Sequence, residues 1–281
     1  MLRSAASALS LALAAATFAC ADDLSALHET ERDHLGLHRT SRNWQWATDH
    51  GARVVDLQDA GTFFLVWVPE GYAELPVRRV LVALHGTKGT AYAEFQDEYE
   101  LARKNRYAVV AVQWYLPASR EYLSPRRVYE LADLALDYMS VRHGAQPEKA
   151  ALVGFSRGSA ISYEVTFWDR HEGTNHFVLT VAHSGGIPED HPTPFCRRLI
   201  DGEHGERPLA GARFFLYAGA RDEEWGGEMC EQIRYAARVV ESRGASIERT
   251  ILDPEGTHAG YRRTPSYHED AMRRFLEATA R

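Results

Sequence analysis

Near the middle of the chain, Gly154-Phe155-Ser156-Arg157-Gly158 places a serine between two glycines, after the apolar pair Leu152-Val153 and before Ser159-Ala160. The pattern predicts a strand, a very tight turn and a helix, with Ser156 at the apex. A serine there is forced into a strained backbone conformation that exposes its hydroxyl, and strand and helix pass too close for a Cβ at either glycine. The amide of Arg157 opens the helix and points to where an acyl oxygen would develop negative charge. The arginine side chain is incidental to that role. A glycine-rich strand-to-helix turn without chemistry has the same local pattern, so what else the fold brings to Ser156 carries the inference.

A serine hydroxyl is a poor nucleophile at neutral pH and needs an imidazole within hydrogen-bond reach, which in turn needs a carboxylate to fix its tautomer and stabilise its cation. The chain has 13 histidines, so position must select among them. In an open α/β sheet, ligands bind beyond the carboxyl ends of the strands. The residues that follow the predicted strands form a coherent set: His85-Gly86-Thr87-Lys88-Gly89, then Ser156, then Gly219-Ala220-Arg221-Asp222, then Gly256-Thr257-His258. His258 is the candidate base and Asp222 the candidate acid, with Asp253 or Glu255 as alternative partners of His258. His85 and His183 also follow strands and are expected to brace loop backbone around the site.

The elements that must position these residues are legible as apolar periodicity. Arg53 to Leu57 and Thr62 to Val68 are β-rich runs joined by Gln58-Asp59-Ala60-Gly61, a hairpin signal. Arg79 to Leu84 is nearly all apolar and suits a strand buried on both faces. Helix 93–104, strand 107–113, amphipathic helix 126–141, the serine strand, helix 159–168, strand 177–182, strand 213–218, helix 228–243, strand 246–252 and helix 266–280 follow. A hairpin and then repeated strand-helix units predict a mostly parallel sheet with helices on both faces. Residues 22–50 are expected to form a short helix and an arm packed on this domain, and 185–211, rich in proline and glycine, to cover it.

These residues give the chain a resemblance to the α/β-hydrolase fold superfamily over Arg53 to the end. The order Ser156, Asp222, His258 matches that family's nucleophile, acid and histidine, and His85-Gly86-Thr87 resembles its oxyanion strip. Within the superfamily the chain is most similar to secreted esterases of the dienelactone-hydrolase, feruloyl-esterase and polyester-depolymerase kind. The resemblance implies a serine hydrolase cleaving carboxylic esters through an acyl-enzyme, with the backbone amides of Thr87 and Arg157 holding the oxyanion. A peptidase of the prolyl-oligopeptidase type, for whose propeller domain the chain has no room, and a catalytically silent binding protein of the same fold are the alternatives. No His/Cys/Asp cluster has metal-ligand spacing and no glycine-rich phosphate loop occurs, so neither metal nor cofactor is expected.

Trp114 and Tyr115 follow the fourth strand, Trp225 lies three residues past Asp222 and Tyr261 three past His258, which suggests an aromatic-lined cleft for a small or polymeric ester. With 281 residues, 45% hydrophobic content and a formal charge of −7 without a basic stripe, a single domain is the simplest organisation and nucleic acid an improbable partner. No reading of oligomeric state follows. Residues 1–21 combine Arg3, an Ala/Leu-rich stretch and Ala19-Cys20-Ala21, and read as a secretory signal cleaved after Ala21. That stretch is too short for a membrane span. The protein is therefore expected outside the cytoplasm, secreted or periplasmic, with lipid attachment at Cys20 as the alternative. Cys196 and Cys230 then remain as an even pair, for which a disulfide tying 185–211 to the Asp222 loop is expected.

Overall fold

The computed structural model describes residues 24, 27–36, 40–57, 62–224 and 227–280. Their order is β1 (Glu29–Thr30), α1 (Ser41–Asp49), β2 (Arg53–Asp56), β3 (Phe63–Trp67), β4 (Val80–Leu84), α2 (Ala91–Asn105), β5 (Ala108–Gln113), β6 (Tyr115–Leu116), β7 (Glu121–Tyr122), α3 (Pro125–His143), β8 (Ala150–Phe155), α4 (Arg157–His171), β9 (Phe177–His183), α5 (Pro194–Asp201), β10 (Arg213–Gly219), α6 (Met229–Ser242), β11 (Ser246–Asp253), α7 (Gly260–Arg263) and α8 (Pro265–Ala278). Nine strands form one sheet in the order β1-β2-β3-β5-β4-β8-β9-β10-β11. The first three pair antiparallel and β5 runs antiparallel to β3, whereas every pairing from β5 to β11 is parallel. The mostly parallel sheet with an antiparallel edge expected from the sequence is thus observed.

Burial explains the arrangement. All residues of β4 and β5 are buried, and successive side chains enter opposite layers, as the period of two along a strand requires. Leu81, Ala83, Val109, Ala111, Ala151 and Val153 pack with Tyr92 and Phe95 of α2 and Met272 and Phe275 of α8. Val80, Val82, Val110 and Leu152 pack on the opposite face with Leu131, Ala135 and Met139 of α3. Each fully buried valine or leucine contributes about 1.5 to 3 kcal/mol through removal from water. At the β10 end that second face is completed by α6, with Phe214 and Leu216 against Ile233 and Val240.

Helix ends carry the expected punctuation. Thr90 accepts the N–H of Ala93 (3.2 Å) at the start of α2, and Ser124 accepts that of Arg127 (3.3 Å) ahead of Pro125 in α3. Three features were unforeseen: the short hairpin of β6 and β7, α5 within 185–211, and α7 ahead of the last helix. The connecting turn 58–61 of the predicted first hairpin, residues 1–21 with Cys20, and Trp225 lie outside the described residues. Among the described residues, no helix is long and apolar enough to cross a membrane.

Candidate active site

β8 passes directly into α4, and Ser156 is the single residue between them, at φ 55° and ψ −118°. A non-glycine residue held there costs on the order of 1–3 kcal/mol and persists because its surroundings over-determine it. The Ser156 N–H donates to the carbonyl of His183 (3.0 Å), and the Ser156 carbonyl accepts the N–H of Ala160 (2.9 Å). A Cβ on Gly154 would sit 2.5 Å from the carbonyl oxygen of Gly158, and one on Gly158 would sit 2.3 Å from that of Leu84. The glycine spacing is therefore a consequence of backbone crossing backbone, with the serine left at the apex.

Two loops meet that apex. His258, between β11 and α7, has Nε2 2.9 Å from Ser156 Oγ and Nδ1 2.7 Å from Asp222 Oδ2. Since a carboxylate only accepts, the Nδ1–H donates to Asp222 and Nε2 is left to accept the serine proton. Asp222 is 1% exposed, and its other oxygen accepts the Glu224 N–H (3.1 Å). The Asp222 and His258 loops are stitched to each other by Ala220 N–H to Asp253 carbonyl and Arg221 N–H to Gly256 carbonyl, both 2.8 Å. Ser184 Oγ–H donates to the carbonyl of His258 (2.7 Å) and fixes the loop from below. The alternative acids face elsewhere: Asp253 accepts from Tyr217 Oη (3.3 Å), and Glu255 pairs with Arg221.

His85 and His183 are both fully enclosed. His85 Nδ1 contacts the Gly86 carbonyl (2.9 Å), while Nε2 faces the Trp114 N–H (3.4 Å) and the His85 carbonyl accepts the Trp114 indole N–H (3.2 Å). Burial lowers the imidazole's pKa to about 4, so the ring is neutral and donates through Nδ1–H. The Gly86 carbonyl is thereby turned inward, where it also accepts the Gly89 N–H (3.0 Å). In a trans peptide the following N–H points the opposite way, so the amide of Thr87 faces out of the turn. Gly86 itself lies against Ser156, where a Cβ would be 3.1 Å from the serine Cβ. His183 lies between Phe155 (ring centroids 5.2 Å) and Tyr261 (4.3 Å), and burial holds its pKa well below the ordinary histidine range.

Beneath the site an ionic cluster, unsignalled by any motif, ties α7 to α2. Arg262 pairs with Glu94 and Asp97 and lies 4.0 Å over the ring of Phe155, whose centroid is 5.0 Å from that of His258. Next to it His268 Nε2 meets Glu98 Oε2 at 2.8 Å. Burial pushes the Glu94 carboxyl up to about 7, against the opposing pull of Arg262.

No family model matches the chain, and no curated protein matches its sequence. Solved structures do match its shape. A fungal esterase from Rhizomucor miehei superposes with a TM-score of 0.63 at 16% identity, covering 88% of this chain and 90% of that one. A thermophilic carboxylesterase cloned from a metagenomic library gives 0.58 at 16% identity, covering 89% and 97%. An S-formylglutathione hydrolase from Agrobacterium tumefaciens gives 0.58 at 14% identity, covering 82% and 96%. This chain has the α/β-hydrolase fold. In this fold Ser156 stands at the tight turn after β8, Asp222 after β10 and His258 after β11, all at the carboxyl edge of the sheet.

Beside the elbow of this α/β-hydrolase fold opens a cavity of about 400 Å³ that includes Ser156. Its apolar walls come from Trp114, Tyr122, Leu123, Ile161 and Met229, and Gly185, Pro188, His191 and Thr193 of the 185–211 segment also line it. Of the aromatic residues expected there, Trp114 lines the cavity. Tyr115 does not: it is buried in the β6–β7 hairpin against Tyr122 (4.8 Å between centroids), because strand alternation turns it away from its neighbour Trp114. Tyr261 does not either, since α7 carries it under the sheet edge, fully buried against His183 and Tyr217. Tyr122, placed by the unforeseen hairpin, and Ile161, one turn into α4, were missed because nothing local in sequence ties them to Ser156.

The cysteine bridge is also not formed. Cys196 and Cys230 are free thiols. Cys196 is buried in α5 on the cavity side, near Tyr163 and Glu164, whereas Cys230 is half-buried at the start of α6 and senses Asp222 and Asp253. Both pack on the same apolar cluster of α4, α5, β10 and α6, yet no bond joins them.

Proposed function

We propose that this chain hydrolyses carboxylic esters through an acyl-enzyme on Ser156. The observation that carries the reading is the unbroken row from Ser156 Oγ to His258 Nε2 (2.9 Å) and from His258 Nδ1 to Asp222 Oδ2 (2.7 Å). Neutral His258 takes the serine proton as Oγ attacks the ester carbonyl carbon, and Asp222 stabilises the imidazolium that results. The first amide of α4, on Arg157, has no partner within its helix and, with the amide of Thr87, would donate to the oxyanion. Each such donor contributes about 3 kcal/mol to the barrier reduction. His258 then gives its proton to the departing alcohol, and water repeats the sequence to release the acid. The likeness to solved esterase structures, together with the apolar cavity beside Ser156, supports an ester as the bond cleaved.

Hydrolysis of a p-nitrophenyl ester series beside aminoacyl amides tests the reading. Turnover of esters, stoichiometric labelling of Ser156 by a fluorophosphonate, and a loss of at least about 10⁴-fold in kcat for Ser156→Ala with an unchanged circular dichroism spectrum are expected. Labelling at another residue, full activity in the variant, or cleavage of amides alone would overturn it. We propose further that the chain is exported and cleaved after Ala21. Amino-terminal sequencing of the exported protein, reading Asp22 first, is the check.

A further inference from the structure

The Arg157 side chain has no part in the reaction just described, which uses only its amide. Yet it lines the cavity together with Tyr122, and its guanidinium lies 4.2 Å over the Tyr122 ring. The ring is itself pinned, since Tyr122 Oη accepts the Lys88 N–H (2.7 Å) and Trp114 packs on it at 5.0 Å between centroids. A guanidinium stacked on an aromatic face keeps its N–H edge free for a planar, two-oxygen acceptor. Among the described residues no carboxylate pairs with Arg157, and the residues lining the cavity include no Asp or Glu although the protein carries a formal charge of −7. The cavity thus sets one guanidinium among mostly apolar walls, with His191, Thr193 and Gln232 as further polar groups and no acidic side chain among its lining residues.

The position of His258 says which half of the ester enters. His258 does not line this cavity; it opens instead onto a separate shallow depression with Arg221, Glu223, Glu224 and Thr257. The alcohol must leave toward His258, which protonates it, so the acyl part occupies the cavity on the Arg157 side of Ser156.

We propose that the acyl part carries a second, free carboxylate, so that the substrates are half-esters of dicarboxylic acids whose far end is held by the Arg157 guanidinium. This rests on the ester-hydrolase reading of the same site. A bidentate arginine-carboxylate contact gives both affinity and orientation, whereas a neutral acyl chain would leave the guanidinium edge to water.

Two readouts test it. In the first, kcat/KM is compared for mono-p-nitrophenyl glutarate and p-nitrophenyl pentanoate, which have the same acyl length. The wild type should favour the glutarate at least tenfold, the preference should shrink as salt rises, Arg157→Gln should bring the ratio to one or below, and Arg157→Lys should keep part of it. In the second, titration calorimetry on Ser156→Ala compares monoethyl glutarate with diethyl glutarate, and the half-ester should bind at least tenfold more tightly. A wild-type ratio of one or less, a ratio indifferent to Arg157→Gln, or equal binding of the two glutarates would overturn the inference. Failure of the ester reading is recognised separately, by absence of turnover of both p-nitrophenyl esters and of fluorophosphonate labelling. The calorimetric comparison then decides this inference alone.

Discussion

Asp222 lies three residues past the end of β10 and Asp253 is the last residue of the adjacent β11, and only Asp222 reaches the imidazole. Its substitution should be felt in chemistry: Asp222→Asn is expected to lower kcat by about 10⁴-fold, the scale set when a carboxylate that orients a catalytic histidine is neutralised. Asp253→Asn and Glu255→Gln should leave kcat within about threefold of wild type, and steady-state kinetics on a p-nitrophenyl ester ranks the three. His85 acts on stability instead. Unfolded, it takes a proton near the ordinary histidine pKa of 6.5, whereas folded it stays neutral down to about 4. The unfolded state therefore binds more protons in that window, so the stabilisation is complete above about pH 7 and is lost as pH falls toward 4. The shift corresponds to about 3 kcal/mol. Urea unfolding at a series of pH values should show a steeper loss for wild type than for His85→Gln, and equal slopes would remove His85 from the account. Ser156, Asp222 and His258 could be singled out in sequence because each follows a strand, where position narrows chemistry. Arg262 could not be, for its partners Glu94 and Asp97 lie on a helix about 165 residues earlier and neither end carries a motif.

At the level of elements, the strand-turn-helix around Ser156 is the least tolerant part of the fold. Gly158→Ala would drive a Cβ to 2.3 Å from the Leu84 carbonyl oxygen at the end of β4, a backbone atom with nowhere to move. The expected result is a loss of more than about 3 kcal/mol or failure to accumulate folded protein, at the severe end for single substitutions. Gly173→Ala, where a Cβ meets nothing within 4 Å though φ is +80°, should cost about 1 kcal/mol. Thermal unfolding of the two variants separates close approach from backbone conformation. The long strands were legible because burial on both faces writes an uninterrupted apolar run. β6 and β7 escaped notice at two residues each, too short to show alternation. α5 did carry signals in hindsight: Thr193 accepts the Cys196 N–H (3.2 Å), Pro194 begins the helix, and Gly202 ends it at φ 79°. The surrounding prolines and glycines masked them.

Across the whole molecule, Ser156 and its two partners belong to different stretches of chain that touch along one seam. Ser156 comes from β8 near the centre of the sheet, while Asp222 and His258 follow β10 and β11 at its far edge, joined to the rest through the parallel β9–β10 ladder from Phe214/Thr180 to Tyr217/His183. The connection before β10 is exposed at Gly205 to Arg207. Cutting it there would leave one fragment holding Ser156 with most of the cavity wall, and a second of two strands and three helices holding Asp222 and His258. Neither fragment would contain a working set. Mixed together, they should regain turnover only as β10 docks on β9, with a rate that rises with fragment concentration. Breaking the ladder at Leu216 with proline, which removes a backbone donor inside the sheet, should abolish reassembly. The long-range pairing of this sheet thereby becomes a means of making hydrolysis conditional on the meeting of two polypeptides.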